Sequence, residues 1–241
     1  MRCATGADLY GNPALLSVTG GVLRPGGMDL TRRVVAAGGL SAGARIIDVG
    51  CGSGATVDCL RREFGLVACG VDVERRFGHA GQGGRPLIQA DALQLPLRNG
   101  TVSAVVCECV LSLLADPDAA LAEFHRVLAD RGVALITDMY VRGSDGAGEL
   151  NSLPVASCLR GALPREAIEL RLCRQGFDVL AWEDHSQALK RMAAQLVFAC
   201  GSMKAFWIAA GACRPGAEDG SGWLRTRPGY FACVARKKGC P

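Results

Sequence analysis

Short apolar runs alternate along this chain with longer stretches of helical periodicity. Arg45–Val49, Leu66–Asp72, Val102–Cys107, Val133–Asp138, Phe177–Trp182 and Gly229–Arg236 have the length and β-branched content of buried strands, and the stretch from Leu87 supplies a seventh. Between them, Met28–Ala37, Ala55–Phe64, Asp116–Leu128, Pro164–Gln175 and His185–Cys200 read as helices. The start of Asp116–Leu128 is marked by an N-cap Asp, a Pro at the first helical position and Asp118 in the first turn, ahead of an apolar face of Ala119, Ala120, Leu121, Phe124, Val127 and Leu128. Residues 1–28, 74–85 and 201–222 are rich in turn-formers and weakly periodic. Strands alternating with helices predict an α/β protein with a doubly wound sheet.

Composition narrows the class. The chain has 241 residues, ample for one buried core, and its 49% hydrophobic and 21% charged residues are ordinary for a globular domain. The formal net charge is +4, and the densest basic run, Arg236-Lys237-Lys238, reads as a solvated tail, so nucleic acid is unsupported as a partner. Neither a secretory signal nor a run of about 18 apolar residues is present, so a cytoplasmic location without a membrane span is expected. There are 12 cysteines but no C-x-x-C pair and no His/Cys cluster at zinc spacing, which points to reduced, mostly structural thiols and no metal.

The candidate chemistry begins at Arg45-Ile46-Ile47-Asp48-Val49-Gly50-Cys51-Gly52-Ser53-Gly54. A strand, a glycine turn and a helix in succession open a nucleotide-binding unit, with glycines where the backbone needs φ > 0 and a ligand passes close. The spacing is G-x-G-x-G, whereas a dinucleotide turn is G-x-G-x-x-G. Asp48 precedes the turn, and a carboxylate there repels a pyrophosphate but suits a ligand with a cationic amino-acid end. Asp72 ends the second strand 18 residues after Gly54, close to the roughly 20-residue offset at which an acid meets ribose hydroxyls.

Asp48-Val49-Gly50-Cys51-Gly52-Ser53-Gly54, Asp72, Asp91 before Leu95-Pro96, and the helix ending Arg126-Val127-Leu128 resemble class I S-adenosylmethionine-dependent methyltransferases, most closely the type related to ubiquinone and menaquinone biosynthesis. The resemblance implies a Rossmann-like doubly wound sheet of seven strands, mostly parallel, with the last strand antiparallel between the fifth and sixth. It implies S-adenosylmethionine as cofactor, held by Asp48, Gly50, Cys51, Gly52, Gly54, Asp72 and Val73. Asp91 is assigned to the adenine amino group, the backbone near Ala92 to a ring nitrogen, and Glu108 to the aminoacyl end or the substrate. Tyr10 and Arg24, before the first strand, are either pocket residues, Tyr10 toward the acceptor, or surface turn residues, and Asp138 and Tyr140, at the end of the fifth, are candidates for contact with the acceptor. A single domain is expected over 1–241, with a cap segment at 1–40, a cofactor-binding half at 44–140, and a substrate-side half at 141–241 that carries an insertion at 185–222.

The implied activity is methyl transfer to a small molecule by in-line displacement; the alternative is a non-catalytic binder of the same cofactor. Asp48 and the glycine spacing disfavour a nicotinamide dehydrogenase, and no Asn-Pro-Pro-Tyr type motif for base amino groups occurs. Cys107 and Cys109 flank the expected crevice, where a Cys-x-Cys pair is also a candidate holder of a soft ligand such as a metalloid. Nothing in the sequence identifies the acceptor or the oligomeric state.

Overall fold

The computed structural model describes residues 13–74, 85–143, 157–209 and 227–239. Eight strands form one sheet: β1 (Arg45–Val49), β2 (Val67–Asp72), β3 (Leu87–Gln89), β4 (Val102–Glu108), β5 (Leu128–Val141), β6 (Leu163–Pro164), β7 (Phe177–Asp184) and β8 (Pro228–Lys237). Their order is β3-β2-β1-β4-β5-β8-β7, with the two-residue β6 beside β5. β1 to β5 are mutually parallel, and β8 runs antiparallel to both β5 and β7, as the resemblance implied. The strand order reverses between β1 and β4, so the carboxyl ends of those strands open on the crevice where α/β sheets bind ligands.

Seven helices are described: α1 (Pro13–Thr19), α2 (Gly27–Ala37), α3 (Ala55–Arg62), α4 (Pro117–Val127), α5 (Arg165–Arg174), α6 (Ser186–Cys200) and α7 (Met203–Ala209). α4 starts as its sequence requires, with the Ala119 amide donating to Asp116 Oδ1 at 2.9 Å and Pro117 opening the helix. The core is split by the sheet. Ile47, Val49, Val105, Cys107, Leu121, Phe124 and Ile136 pack on the α4 and α5 side, while Ile46, Val57, Leu60, Val106, Leu135 and Tyr230 pack on the α2 and α3 side. Alternate residues of each buried strand thus serve opposite layers.

The sequence reading needs four changes. α1 and α7 lie in stretches that lack local periodicity; Leu15 of α1 and Phe206 of α7 are held by packing with Leu196 of α6, which supplies what propensity does not. β6 was not anticipated. The strand expected over Val133–Asp138 is longer, and Asp130-Arg131-Gly132 form an irregularity within β5: the ladder pairs Val102 with Leu128, steps over the intervening residues, and resumes at Ala104 opposite Val133. Arg131 takes φ 61° there. Cys173 is exposed, not buried in its helix. Tyr10 and the loose stretch at 75–84 lie outside the described residues.

Candidate functional site

The glycine turn leaves β1 and enters α3 through three left-handed positions, Gly50 (φ 76°), Gly52 (φ 50°) and Gly54 (φ 82°). Gly50 and Gly52 differ in what surrounds them. A Cβ on Gly50 would stand 2.2 Å from Val110 Cγ2, so this position is closed by the protein's own residue after β4. A Cβ on Gly52 would meet nothing within 4 Å, leaving its backbone open to the crevice. The Gly50 and Cys51 amides both donate to the Val71 carbonyl, which pins the turn to the end of β2. Beneath it, Gly70 has no Cβ because Cys51 Sγ occupies that space, 2.6 Å from where one would be.

Asp72 stands directly beside the turn. Its Oδ2 accepts from the Gly52 amide at 2.9 Å and its Oδ1 from the Glu74 amide at 2.8 Å. Each oxygen keeps further acceptor capacity. Val73 follows and is 63% exposed. Across from it, Asp91 is exposed, its Oδ1 accepts from the Leu93 amide, and Ala92 is buried. This loop is braced from behind by Arg126 of α4, which donates to the carbonyls of Leu95 and Leu97 and to Asn99, and forks onto Glu123. Glu123 in turn accepts from the Leu95 amide. The Arg-Val-Leu ending therefore has a mechanical role: its arginine positions the loop that carries Asp91 and Ala92.

Asp48 is buried under the turn, and its Oδ2 has no hydrogen-bond partner among the described residues. Burial, reinforced by Glu108 and Asp72 and opposed by Arg24, pushes its carboxyl up to about 8. A buried acceptor without a donor marks a place where a donor belongs.

Glu108, at the end of β4, has partners that its neighbours in sequence do not reveal. Its carboxylate accepts from Thr31 Oγ1 at 2.8 Å and Thr56 Oγ1 at 3.1 Å, and pairs with Arg24 Nη2 at 2.9 Å. It ties the segment before β1 to α2 and α3, and its Oε1, with one donor, keeps further acceptor capacity. Arg24 thereby joins the site, with Thr31 and Thr56, which the sequence gave no reason to single out. Arg24 Nε is buried without a partner.

Asp138 and Tyr140 also take places other than those expected. Asp138 accepts from the Ser112 amide (2.9 Å), Ser112 Oγ (2.6 Å) and the Met139 amide (2.7 Å), anchoring the segment after β4. Burial pushes its carboxyl up to about 6 against those bonds. Tyr140 is buried edge-on against Trp182 and Phe231, in the core on the α4 and α5 side. Period two would have revealed this, since Tyr140 shares a strand face with Ala134 and Ile136.

Cys107 and Cys109 do not form a pair. Cys107 lies in the core on one side of the sheet and Cys109 on the other, with its Sγ 3.6 Å from Cys158 Sγ. The contact with Cys158 and burial both push the Cys109 thiol well up, as burial does for Cys107, so both stay protonated. No group of three or more potential metal ligands occurs among the described residues. A cavity of about 1060 Å³ lies at the opposite ends of β1, β2 and β4, lined by Arg45, Arg61, Arg62 and Arg98, away from Asp48, Asp72 and Asp91. None of the described helices is long and apolar enough to cross a membrane.

Residues 47–136 match the family model described as a methyltransferase domain. The chain is 30% identical over 154 residues to an arsenite methyltransferase of Aquipseudomonas alcaligenes, covering 56% of this chain and 44% of that one. It spans about half or less of the length of the curated relatives it matches. Among solved structures, the [4+2]-cyclase SpnF superposes with a TM-score of 0.72 at 24% identity, covering 96% of this chain and 94% of its own. A phosphoethanolamine N-methyltransferase 2 of Haemonchus contortus, in complex with phosphomonomethylethanolamine and S-adenosylhomocysteine, superposes with a TM-score of 0.74 at 20% identity, covering 98% and 59%.

Proposed function

We propose that this chain, whose residues 47–136 match a methyltransferase domain, transfers a methyl group from S-adenosylmethionine to a small-molecule acceptor. The observation that carries this reading is the unpartnered Oδ2 of the buried Asp48 carboxyl, lying under a glycine turn whose middle residue opens on empty space. A sulfonium amino acid supplies the ammonium donor that such an acceptor lacks, and an open backbone gives its chain room to pass. The residues present fit the cofactor.

In this reading Asp48 takes the ammonium and the Gly50–Gly54 backbone lines the amino-acid chain. Asp72, already fixed by the Gly52 and Glu74 amides, accepts from the two ribose hydroxyls. Val73 and Ala92 cover the faces of the adenine, and Asp91 accepts from its amino group. Glu108 is a positioning residue that holds Arg24, Thr31 and Thr56 in one cluster beside the turn. When bound, S-adenosylmethionine supplies a methyl group already activated by a positive sulfur. The protein's part is then to hold the acceptor's nucleophile in line and exclude water, a contribution measured as effective molarity.

Calorimetry with S-adenosylhomocysteine and with NAD tests the cofactor assignment, and release of S-adenosylhomocysteine in a screen of acceptors tests turnover. Binding of the homocysteine product but not of NAD is expected. The reverse preference would overturn the reading, and binding without turnover on any acceptor would leave a cofactor-binding protein.

A further inference from the structure

Two thiols meet at the crevice end of the sheet. Cys109 directly follows β4, and Cys158 lies 49 residues later in the segment that leads into β6, with the two Sγ atoms 3.6 Å apart. Both are free thiols. Cys109 takes φ 58°, a left-handed conformation that a residue with a Cβ seldom adopts, so its side chain is held there against backbone strain.

The neighbours of Cys109 belong to the cofactor side of the crevice. Its amide donates to the Thr137 carbonyl at 2.7 Å, and the Thr137 hydroxyl meets Tyr230 Oη at 2.9 Å. On one side Glu108 is tied to Thr31, Thr56 and Arg24. On the other, Val110 packs against Gly50 of the glycine turn with no room for a Cβ between them. Cys158 is the more exposed thiol, in a turn closed by the Arg160 amide on the Ser157 carbonyl. Gly161 of the same segment lies against Ser112, where a Cβ would stand 2.0 Å from the carbonyl oxygen. The two cysteines thus face each other across the join between the wall after β4 and the segment that follows β5.

We propose that Cys109 and Cys158 form a reversible disulfide that switches the crevice: bridged, it draws Cys109 and the adjoining Val110 away from the glycine turn and weakens cofactor binding; open, it leaves the turn supported. Sulfur atoms in contact must approach to about 2.05 Å to bond, and that movement is what reaches Val110. The pair itself stands on the thiol contact; only its effect on the cofactor rests on the methyl-donor reading.

The chemistry is thiol–disulfide exchange, with a small disulfide such as oxidised glutathione as the oxidant. Cys158, the more exposed thiol, loses its proton and attacks the oxidant, forming a mixed disulfide and releasing one thiol. Cys109 then loses its proton, attacks the Cys158 sulfur and expels the second thiol. The cysteines give up two protons and two electrons, and the oxidant takes them up as two thiols. The contact with Cys158 and burial push the Cys109 thiol up, so exchange starts at Cys158 and proceeds slowly.

The test equilibrates the full chain in glutathione buffers of graded oxidised-to-reduced ratio, traps free thiols by alkylation and maps the bridge by peptide mass. Affinity for S-adenosylhomocysteine is then measured on the reduced and oxidised forms. A Cys109–Cys158 bridge that dithiothreitol reverses is expected, with affinity at least threefold weaker in the oxidised form. By linkage, saturating S-adenosylhomocysteine should favour the dithiol by the same factor in the glutathione titration. Cys158→Ala and Cys109→Ser should each bind within twofold of the reduced wild type, with or without oxidant, which also shows that the variants are folded. Failure of this bridge to form in any glutathione ratio, or equal affinity of the two forms, overturns the proposal. A reversible bridge in a protein that takes no S-adenosylhomocysteine in either form would uphold the thiol pair and remove the methyl-donor reading instead.

Discussion

Arg24 Nη2 lies 2.9 Å from Glu108 Oε2, joining a residue ahead of the first strand to the end of β4. Both side chains are nearly inaccessible, at 11% and 5% exposure, so neither charge is well solvated without the other. Arg24→Ala leaves Glu108 buried with two hydroxyl donors and no cation. Loss of one partner of a buried pair costs about 3–5 kcal/mol, and urea unfolding of Arg24→Ala should show a loss of that order. Arg24→Met combined with Glu108→Gln should recover more than half of it.

Asp48 gives the ligand-free protein a defined pH dependence. Its folded carboxyl holds the proton up to about pH 8, while an ordinary one releases it near 3.8. Between those values the folded state binds more protons than the unfolded chain, so this group's contribution to stability falls as pH rises and levels off above pH 8. Asp48→Asn removes the slope. Its melting temperature relative to wild type should climb from pH 4 to pH 8, the gain at pH 8 corresponding to ~2 kcal/mol or more.

The same carboxyl predicts proton release on cofactor binding. An ammonium placed against Asp48 favours its ionised form, so at pH 7 binding should expel a proton from a site that held one. Calorimetry of S-adenosylhomocysteine in buffers of different ionisation enthalpy measures that number, and Asp48→Asn should bring it close to zero.

Asp72 and Asp91 should separate in magnitude. Asp72 is assigned to two hydroxyls and also accepts from the Gly52 amide, so Asp72→Ala loses ligand bonds and frees the turn. About 2 kcal/mol, or roughly thirtyfold in S-adenosylhomocysteine affinity, is expected. Asp91→Ala, losing one bond at an exposed site, should cost about tenfold or less. An unchanged dissociation constant for Asp72→Ala would remove its assigned role.

Gly50 tests whether the turn is shaped by the protein or by its ligand. Gly50→Ala places a methyl 2.2 Å from Val110 Cγ2 at a φ of 76°, so both sterics and backbone strain oppose it. A loss of about 2–4 kcal/mol in unfolding free energy is expected, of which Val110→Ala in the same chain should restore part but not all, since the strain remains.

What the sequence displayed clearly was local. The strand runs, the glycine turn and the Asp116-Pro117 start are written in neighbouring residues, and the sheet order followed from the resemblance they carried. What it concealed was long-range. Glu108 looked free because Thr31, Thr56 and Arg24 lie far from it in the chain and meet it only when α2 and α3 fold onto the sheet. α1 and α7 escaped notice because Leu196 of α6, not their own periodicity, stabilises them. Asp138 and Tyr140 were placed by their position at a strand end, a rule that fixes the height along the sheet but not which face a side chain serves. Alternation along β5 assigns Tyr140 to the aromatic core, and three donors consume Asp138.

The insertion of β8 between β5 and β7 bears on how the chain is made. As synthesis proceeds from the N-terminus, β1 to β5 emerge first, but most of the outer edge of β5 waits until β6, β7 and the described helices α5, α6 and α7 have followed. Through that interval a long, apolar strand edge is open to mispairing with a neighbouring nascent chain. Closure of the sheet is therefore the late event in biogenesis, and the last-made strand is the one that seals it.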